Sequence, residues 1–267
     1  MSHAYVDRLS KQEDVETMAR HVQAGEVRAV ARVITWLENR EPTGTAVLKQ
    51  LAPPEQRATV LGITGYPGTG KSTMIDQLIT AYRRVGKTVG VLAVDISSPL
   101  TGGAVLGDRV RMQRHADDPG VYIRSMATRG QFGGLARATR DALQVLEAAA
   151  YDVILIETVG VGQSDIEVVS VAETVIALVA PGLGDAVQAM KAGLLEVANI
   201  VVVNKGDRDG ADAAVRDLRE WYPHVLRTVA VKGEGIPELL AMIAEQQRLQ
   251  DLAHAPNGQT GVRLRGS

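Results

Sequence analysis

The chain has no cysteine, and its 267 residues include only five histidines, which stand far apart. The lack of cysteine excludes disulfides and thiolate chemistry, and it is compatible with a reducing compartment. A chain of this length can fold without such cross-links. The histidines lack the spacing of zinc or nickel ligands, and they are His3, His21, His115, His224 and His254.

Neither charge nor hydropathy indicates a nucleic-acid or membrane partner. The formal net charge of −2 argues against broad electrostatic binding to nucleic acid. No apolar run reaches the roughly 20 residues that span a bilayer. Residues 1–20 mix acidic and basic side chains and lack the apolar core of a secretory signal. We therefore expect a cytoplasmic protein.

Hydrophobic periodicity divides the chain into three parts. Residues 1–54 are predicted to form a helical extension, which ends near Pro53 and Pro54. This extension is either a partner-binding helix pair or a layer packed on the main domain. Residues 55–250 alternate apolar runs with amphipathic stretches, which predicts a three-layer α/β fold with a mainly parallel sheet. Residues 251–267 are predicted to be a tail, polar and glycine-rich at its end.

The element boundaries within the main part follow from the apolar runs and the amphipathic stretches between them. Seven strands are predicted, at Thr59–Thr64, Thr88–Val94, Val121–Ser125, Asp152–Glu157, Thr174–Val179, Asn199–Val203 and Arg227–Val231. Helices are predicted at Lys71–Val85, Leu135–Ala149, Asp185–Val197 and Asp212–Trp221.

A complete phosphate-binding motif of the G-x-x-x-x-G-K-[ST] type follows the first predicted strand and opens the first predicted helix of the main part. Its backbone N–H groups and the positive helix end attract phosphate oxygens. Lys71 is expected to reach the β- and γ-phosphates, and the Ser72 hydroxyl to bind Mg²⁺. The residues predicted to bind nucleotide here are Gly65, Pro67, Gly68, Thr69, Gly70, Lys71, Ser72 and Thr73. The chain is therefore predicted to be a P-loop NTPase.

Acidic residues at the ends of two other predicted strands are candidate metal and catalytic groups. Glu157 ends an apolar run and precedes Gly160 at the Asp-x-x-Gly spacing of GTPases, with glutamate in place of aspartate. Glu157 is expected to hold Mg²⁺ through water, and the Gly160 amide to sense the γ-phosphate. Asp95 ends another run, and Asp108 lies in a glycine-rich stretch expected to order around Mg²⁺ and phosphate. The alternatives are a helix cap for Asp95 and a solvated side chain for Asp108.

Base selection is assigned to Asn204-Lys205-Gly206-Asp207, directly after a predicted strand. A carboxylate at Asp207 accepts hydrogen bonds from guanine N1–H and the 2-amino group, a pair that adenine lacks. Asn204 is expected to bond the base edge, and the Lys205 stem to lie against the ring. Farther along, the stretch containing Val231 and Lys232 is expected to offer a backbone amide to the guanine oxygen.

Four segments together resemble the MeaB/ArgK/MMAA GTPases, from about residue 15 to about residue 250. They are Gly65–Thr73, the glycine-rich stretch from Thr101 to Asp108, Glu157–Ser164 and Pro181–Asp185. Generic GTPases do not share the sequence Glu-Thr-Val-Gly-Val-Gly-Gln-Ser. The family is in turn similar to the urease and hydrogenase maturation GTPases.

The resemblance implies a GTPase chaperone that loads, protects and reactivates a B12-dependent acyl-CoA mutase, for methylmalonyl-CoA or a related substrate. An adenosyltransferase is a further implied partner. The acidic cluster around Mg²⁺ would consist of Asp95, Asp108 and Glu157. Gly182–Gly193 would be a third switch, with Asp185, Gln188 and Lys191, although an ordinary strand–loop–helix connection is the alternative.

Three departures from the family pattern stand out. Ile96 replaces a usual proline and Asp165 a usual glutamate, and neither change removes an expected ligand. The family normally continues into a helical dimerisation arm, whereas about thirty residues follow Ile236 here. Homodimer formation is therefore left open.

Two other functions stay open at this point. One is an ATP-using kinase or transport accessory, which Asn204 and Asp207 disfavour. The other is a nickel metallochaperone GTPase, which the lack of cysteine and the scattered histidines disfavour.

No arginine finger is evident, so slow intrinsic hydrolysis is expected. Arg109, Arg111 and Arg129 are predicted to be surface charges.

Overall fold

The computed structural model describes residues 14–95, 112–128, 135–160, 163–182 and 198–254. Three helices come first: α1 at 14–23, α2 at Val27–Glu38 and α3 at Pro42–Leu48. The strands are β1 Thr59–Gly65, β2 Val89–Asp95, β3 Val121–Ala127, β4 Val153–Glu157, β5 Thr174–Val179, β6 Ile200–Val203 and β7 Val225–Arg227. The later α-helices are α4 Lys71–Arg84, α5 Thr139–Ala148, α6 Ala211–Arg219 and α7 Ile236–His254. Short 3₁₀ turns lie at Gln113–His115, Gln163–Ser170 and Ala230–Lys232.

The seven strands form one parallel sheet in the order β3-β2-β4-β1-β5-β6-β7. β1 lies in the middle, between β4 and β5, and its residues are buried after the first. Apolar clusters cover both faces of the sheet, as expected for a parallel sheet with near-continuous hydrophobic strands. The prediction of a three-layer α/β fold is confirmed.

The N-terminal helices form a layer on the sheet. Val30, Val33 and Ile34 of α2 recur at helical spacing and are fully buried. They belong to the same cluster as side chains of β2 and β4. At its end α2 is also tied to the edge strand, because Arg124 Nε donates to Glu38 Oε2 at 3.0 Å. Of the two alternatives for the N-terminal extension, the structure therefore shows the layer packed on the main domain.

Six of the seven predicted strands lie within one or two residues of the structure, but the last is wrong. Val225–Arg227 forms β7, and the chain then turns at Ala230–Lys232 instead of continuing as a strand to Val231. The reason is a long-range contact, since the Ala230 amide donates to Asn204 Oδ1 at 3.0 Å. α5 begins at Thr139, four residues later than predicted, and α7 continues into the predicted tail.

Of the other three predicted helices, the structure describes two. α4 and α6 lie close to their predicted positions, whereas 185–197 is not among the described residues. None of the helices that the structure describes combines the length and apolarity needed to cross a membrane.

An ion pair ties the end of α4 to the turn before β3. Arg83 donates to Asp118 from both Nε and Nη2, each at 2.9 Å, and the Gly120 amide donates to Asp118 Oδ1 at 2.8 Å. The Arg83 hydrogen bond is the main reason that the pKa of Asp118 lies below its usual range. A carboxylate with a depressed pKa stabilises the fold above its unfolded pKa.

Asp118→Asn is expected to lower the free energy of unfolding by about 1 kcal/mol at neutral pH. The loss should shrink as the pH falls below about 4 and through the folded pKa, because the wild-type carboxylate is then protonated too. Urea unfolding at a series of pH values measures this difference. Asp117→Asn, at an exposed neighbour, is the control, and an equal effect of the two variants would contradict the assignment.

Candidate functional site

The phosphate-binding motif forms the turn between β1 and α4 at the carboxyl edge of the sheet. Gly70 precedes α4 with a φ of 98°, and a Cβ atom there would collide with the amide of Asn204. Thr69 closes the turn by donating to the Tyr66 carbonyl at 2.9 Å. Lys71 is buried and donates to the Gly65 carbonyl at 2.8 Å. The ammonium group thus lies inside the curve of the loop, where it can reach a bound anion.

Two of the predicted metal-binding residues are in direct contact. Ser72 Oγ donates to Glu157 Oε1 at 3.0 Å, and both side chains are buried. Asp95, at the end of β2, lines the same cleft of about 380 Å³ together with Pro67, Gly68, Gly70, Lys71, Thr73 and Lys205. Asp108 lies outside the described residues, and its place in this cluster stays a prediction.

The donor set of this cleft fits Mg²⁺. A hydroxyl oxygen and carboxylate oxygens are hard ligands, and Mg²⁺ commonly uses one or two carboxylates plus phosphate and water. Within the described residues, no group of three or more His, Cys, Asp or Glu is placed to hold a metal without such help. Phosphate and water would therefore have to complete the coordination.

Gly160 approaches the phosphate loop from the end of β4. Its φ is 82°, and an added Cβ atom would collide with the Gly65 carbonyl and with Lys71 Nζ. The chain after Glu157 therefore passes directly over the lysine that is predicted to bind phosphate. Only glycine permits both this backbone conformation and this approach.

Asn204 connects the phosphate loop to the turn after β7. The side chain is buried, and its Nδ2 donates to the Thr69 carbonyl at 2.8 Å. Its Oδ1 accepts from Thr228 Oγ1 at 3.1 Å and from the Ala230 amide at 3.0 Å. The carbonyl oxygen therefore has both lone pairs occupied by protein. The Nδ2 atom carries two N–H groups and the Thr69 carbonyl accepts from one of them, so the expected contact of Asn204 with a base edge stays a prediction.

Lys205 lines the cleft, and Asp207 comes two residues later in the chain. Lys205 has a φ of 56° and donates to the Gly68 carbonyl at 2.5 Å. Asp207 Oδ2 lies 3.2 Å from Lys232 Nζ. The hydrogen bond from Lys232 is the main reason that the pKa of Asp207 lies below its usual range. Asp207 is therefore a partly exposed, ionised acceptor beside the phosphate loop.

Two backbone amides of the turn after β7 are bonded within the protein. The Lys232 amide donates to the Val229 carbonyl at 2.9 Å, and the Ala230 amide is bound by Asn204. The Lys232 amide is therefore occupied within the protein, and its ammonium group pairs with Asp207. The expected contact of a backbone amide from the stretch containing Val231 and Lys232 with the guanine oxygen stays a prediction. Val231 is exposed beside Lys232.

The three arginines predicted to be surface charges and the named residues of the predicted third switch fall outside the described residues. They include Arg109, Arg111, Arg129, Asp185, Gln188 and Lys191. Their positions relative to the cleft therefore stay predictions, and only the first residues of the predicted third switch, up to Gly182, are described.

A buried carboxylate that sequence reasoning missed lies one turn after Ser72. Asp76 accepts from Arg114 Nε at 2.5 Å, and its Oδ1 lies 3.0 Å from His115 Nε2. This contact attaches the chain just after residue 111 to the helix that follows the phosphate loop. The available signal was a carboxylate among the apolar positions of an amphipathic helix.

Comparison with protein families gives one match over most of the chain. The model described as "Methylmalonyl Co-A mutase-associated GTPase MeaB" matches residues 30–262. The chain is 48% identical over 247 residues to a Pyrococcus horikoshii protein named as a GTPase, covering 88% of this chain and 78% of that protein. It is 38% identical over 238 residues to the GTPase ArgK of Escherichia coli, covering 82% and 72%.

More distant similarity extends to a eukaryotic protein and to a solved structure. The mitochondrial "methylmalonic aciduria type A homolog" of Caenorhabditis elegans is 34% identical over 263 residues, covering 87% of this chain and 65% of that protein. A crystal structure described as a LAO/AO transport system kinase superposes with a TM-score of 0.70 at 31% identity, covering 90% of this chain and 77% of that one.

Gly160→Ala is expected to weaken nucleotide binding at least about tenfold, because the methyl group must displace Lys71 or the Gly65 carbonyl. Titration calorimetry with guanosine and adenosine diphosphates measures the loss. Gly86→Ala is the matched control, since Gly86 has a φ of 78° but nothing within 4 Å of an added Cβ. Equal behaviour of both variants would mean that backbone strain alone, and not the approach to Lys71, matters.

Proposed function

The chain belongs to the MeaB family of methylmalonyl-CoA mutase-associated GTPases and is itself a P-loop GTPase, and we propose that it is the chaperone of an adenosylcobalamin-dependent acyl-CoA mutase. In this role it would couple GTP binding and hydrolysis to loading of the cofactor and to protection and reactivation of the mutase. The partner enzyme would act on methylmalonyl-CoA or a related acyl-CoA.

The observation that carries the guanine part of this proposal is the position of Asp207. Asp207 comes two residues after Lys205, which lines the cleft of the phosphate loop and donates to the Gly68 carbonyl. The two oxygens of an ionised carboxylate can accept from guanine N1–H and the 2-amino group together. Adenine lacks this pair of donors, so guanine is the favoured base.

Each group that we propose to surround the phosphates has a distinct task. The loop amides and Lys71 would hold the phosphates and neutralise charge that develops as the terminal phosphoryl group leaves. Ser72, Glu157, Asp95 and Asp108 would hold Mg²⁺, which supplies further neutralisation when bound. The contact of Ser72 with Glu157 supports this assignment because it brings a hydroxyl and a carboxylate together. The amide of Gly160, directly over Lys71, would bond the terminal phosphate.

The mutase as partner is supported by the family's description and by the relative named after methylmalonic aciduria. The family's description names a GTPase associated with a mutase, and the relative's name refers to the same methylmalonyl group. We also propose an adenosyltransferase as a second partner, since loading requires a source of the intact cofactor. Gly182–Gly193 is the segment we propose to report the nucleotide state to the mutase.

A kinase or transport accessory is the second candidate, because a related solved structure carries that description. It would require preference for ATP over GTP and a site for a phosphate acceptor. Asp207 disfavours the first requirement, since a carboxylate repels the acceptor nitrogen N1 of adenine. The choice between the two therefore depends on base preference.

Asp207→Asn is expected to weaken GDP binding about 10- to 100-fold and to strengthen binding of xanthosine diphosphate. The amide N–H would face the repulsive 2-amino group of guanine, but it complements the 2-oxo group of xanthine. Titration calorimetry of the magnesium-containing protein with GDP, ADP and xanthosine diphosphate measures the change. Asp209→Asn, at an exposed neighbour, is the control. Equal wild-type affinity for GDP and ADP would favour the kinase alternative.

The partner is tested by retention of purified B12-dependent acyl-CoA mutases on the immobilised full chain, loaded with GDP or with a non-hydrolysable GTP analogue. We expect one mutase to be retained, and to a different extent in the two nucleotide states. Lys71→Ala should abolish the nucleotide dependence, because it removes the phosphate-binding cation. Retention of none of the host's mutases in either state would refute the chaperone role.

A further inference from the structure

The carboxylate that reads the base in the proposed function forms an ion pair with Lys232. Asp207 Oδ2 and Lys232 Nζ are 3.2 Å apart, with side chains 40% and 53% exposed. Asp207 follows β6, whereas Lys232 ends the short turn after β7. The contact therefore depends on the fold, which brings the Lys232 ammonium group to the Asp207 carboxylate.

The backbone that carries Lys232 is fixed close to its ion-pair partner. Its amide donates to the Val229 carbonyl at 2.9 Å, and Ala230 is held by the buried side chain of Asn204. Asn204 lies three residues before Asp207 in the chain. One buried amide thus positions both the strand end that carries the carboxylate and the turn that carries the ammonium group.

Gly206, the residue before Asp207, is also held in place by contacts with the end of β7 and the residue after it. The Gly206 amide donates to the Thr228 carbonyl at 2.8 Å, and the side chain of Arg227 lies so close to Gly206 that a Cβ atom there would collide with it. The Cα atom of Asp207 is thereby fixed, and its side-chain torsions are the main remaining freedom. The contact with Lys232 restricts these torsions.

We propose that Lys232 is a positioning residue for base recognition, holding the Asp207 carboxylate oriented so that both of its oxygens face a guanine edge. The inference rests on the proposed function, because it takes guanine as the ligand of Asp207. A carboxylate has about four acceptor positions. One hydrogen bond from Lys232 therefore leaves room for the two that guanine donates.

Guanine and hypoxanthine should respond differently to loss of Lys232. Guanine donates to the carboxylate from N1–H and from its 2-amino group, so it needs both oxygens in a fixed orientation. Hypoxanthine donates from N1–H alone and tolerates a rotated carboxylate. Because this ion pair is exposed, its effect is modest, and the expected loss of guanine affinity is about two- to fivefold.

The test compares GDP and inosine diphosphate by titration calorimetry for the full-length wild type, Lys232→Met, Lys232→Arg and Arg208→Met. Lys232→Met should lose about two- to fivefold in GDP affinity and less in inosine diphosphate affinity, so that the ratio of the two falls. Lys232→Arg should restore the ratio, because it keeps a cationic donor. Arg208 is an exposed cation next to Asp207 in sequence, and its removal should leave the ratio unchanged.

The outcomes separate this inference from the proposed function. An unchanged affinity ratio in Lys232→Met, or tighter GDP binding by that variant, would overturn the positioning role while leaving guanine preference intact. The second result would mean that Lys232 competes with the base. A wild type that binds ADP as well as GDP would overturn both, because Asp207 would then not select guanine.

Discussion

The side-chain amide of Asn204 joins the two halves of the site, and the arrangement of the rest depends on it. Its nitrogen binds the carbonyl of Thr69 in the phosphate loop, and its oxygen binds Thr228 and Ala230 in the turn after β7. A buried polar group left without a partner costs about 1–3 kcal/mol. The three contacts therefore hold the phosphate loop and the turn after β7 at one separation.

The parallel sheet brings residues that are remote in sequence to the same edge. β1 ends at Gly65, β4 at Glu157 and β6 at Val203, and all three strands point the same way. Ligands of open α/β sheets bind beyond these carboxyl ends. β4 is next to β1, so the Glu157 carboxylate meets Ser72 directly. β6 is separated from β1 by β5, and a longer connection through Asn204 is needed there.

Most of the fold and the phosphate loop could be predicted from the sequence, because local patterns encode them. Buried parallel strands are continuous apolar runs, and the glycines of the phosphate loop have fixed spacing. β7 was misplaced because the run that follows it is strand-like in composition, while a distant side chain, Asn204, captures the Ala230 amide. The ion pairs of Asp207 with Lys232 and of Asp76 with Arg114 were missed for a similar reason. Such contacts between separate elements have no periodic signal in one sequence.

α4 connects the phosphate loop to the chain before β3 through polar contacts along its length. Ser72 in its first turn meets Glu157, Asp76 one turn later holds Arg114, and Arg83 near its end holds Asp118. An α-helix is stiff over this length because each turn is closed by backbone hydrogen bonds. The chain at 114–118 is thus fixed to the same rigid element that presents Lys71 and Ser72. The described chain ends at Asp95 after β2 and resumes at residue 112, and Arg114 is bound to α4, so the position of this second stretch is set by the helix of the phosphate loop.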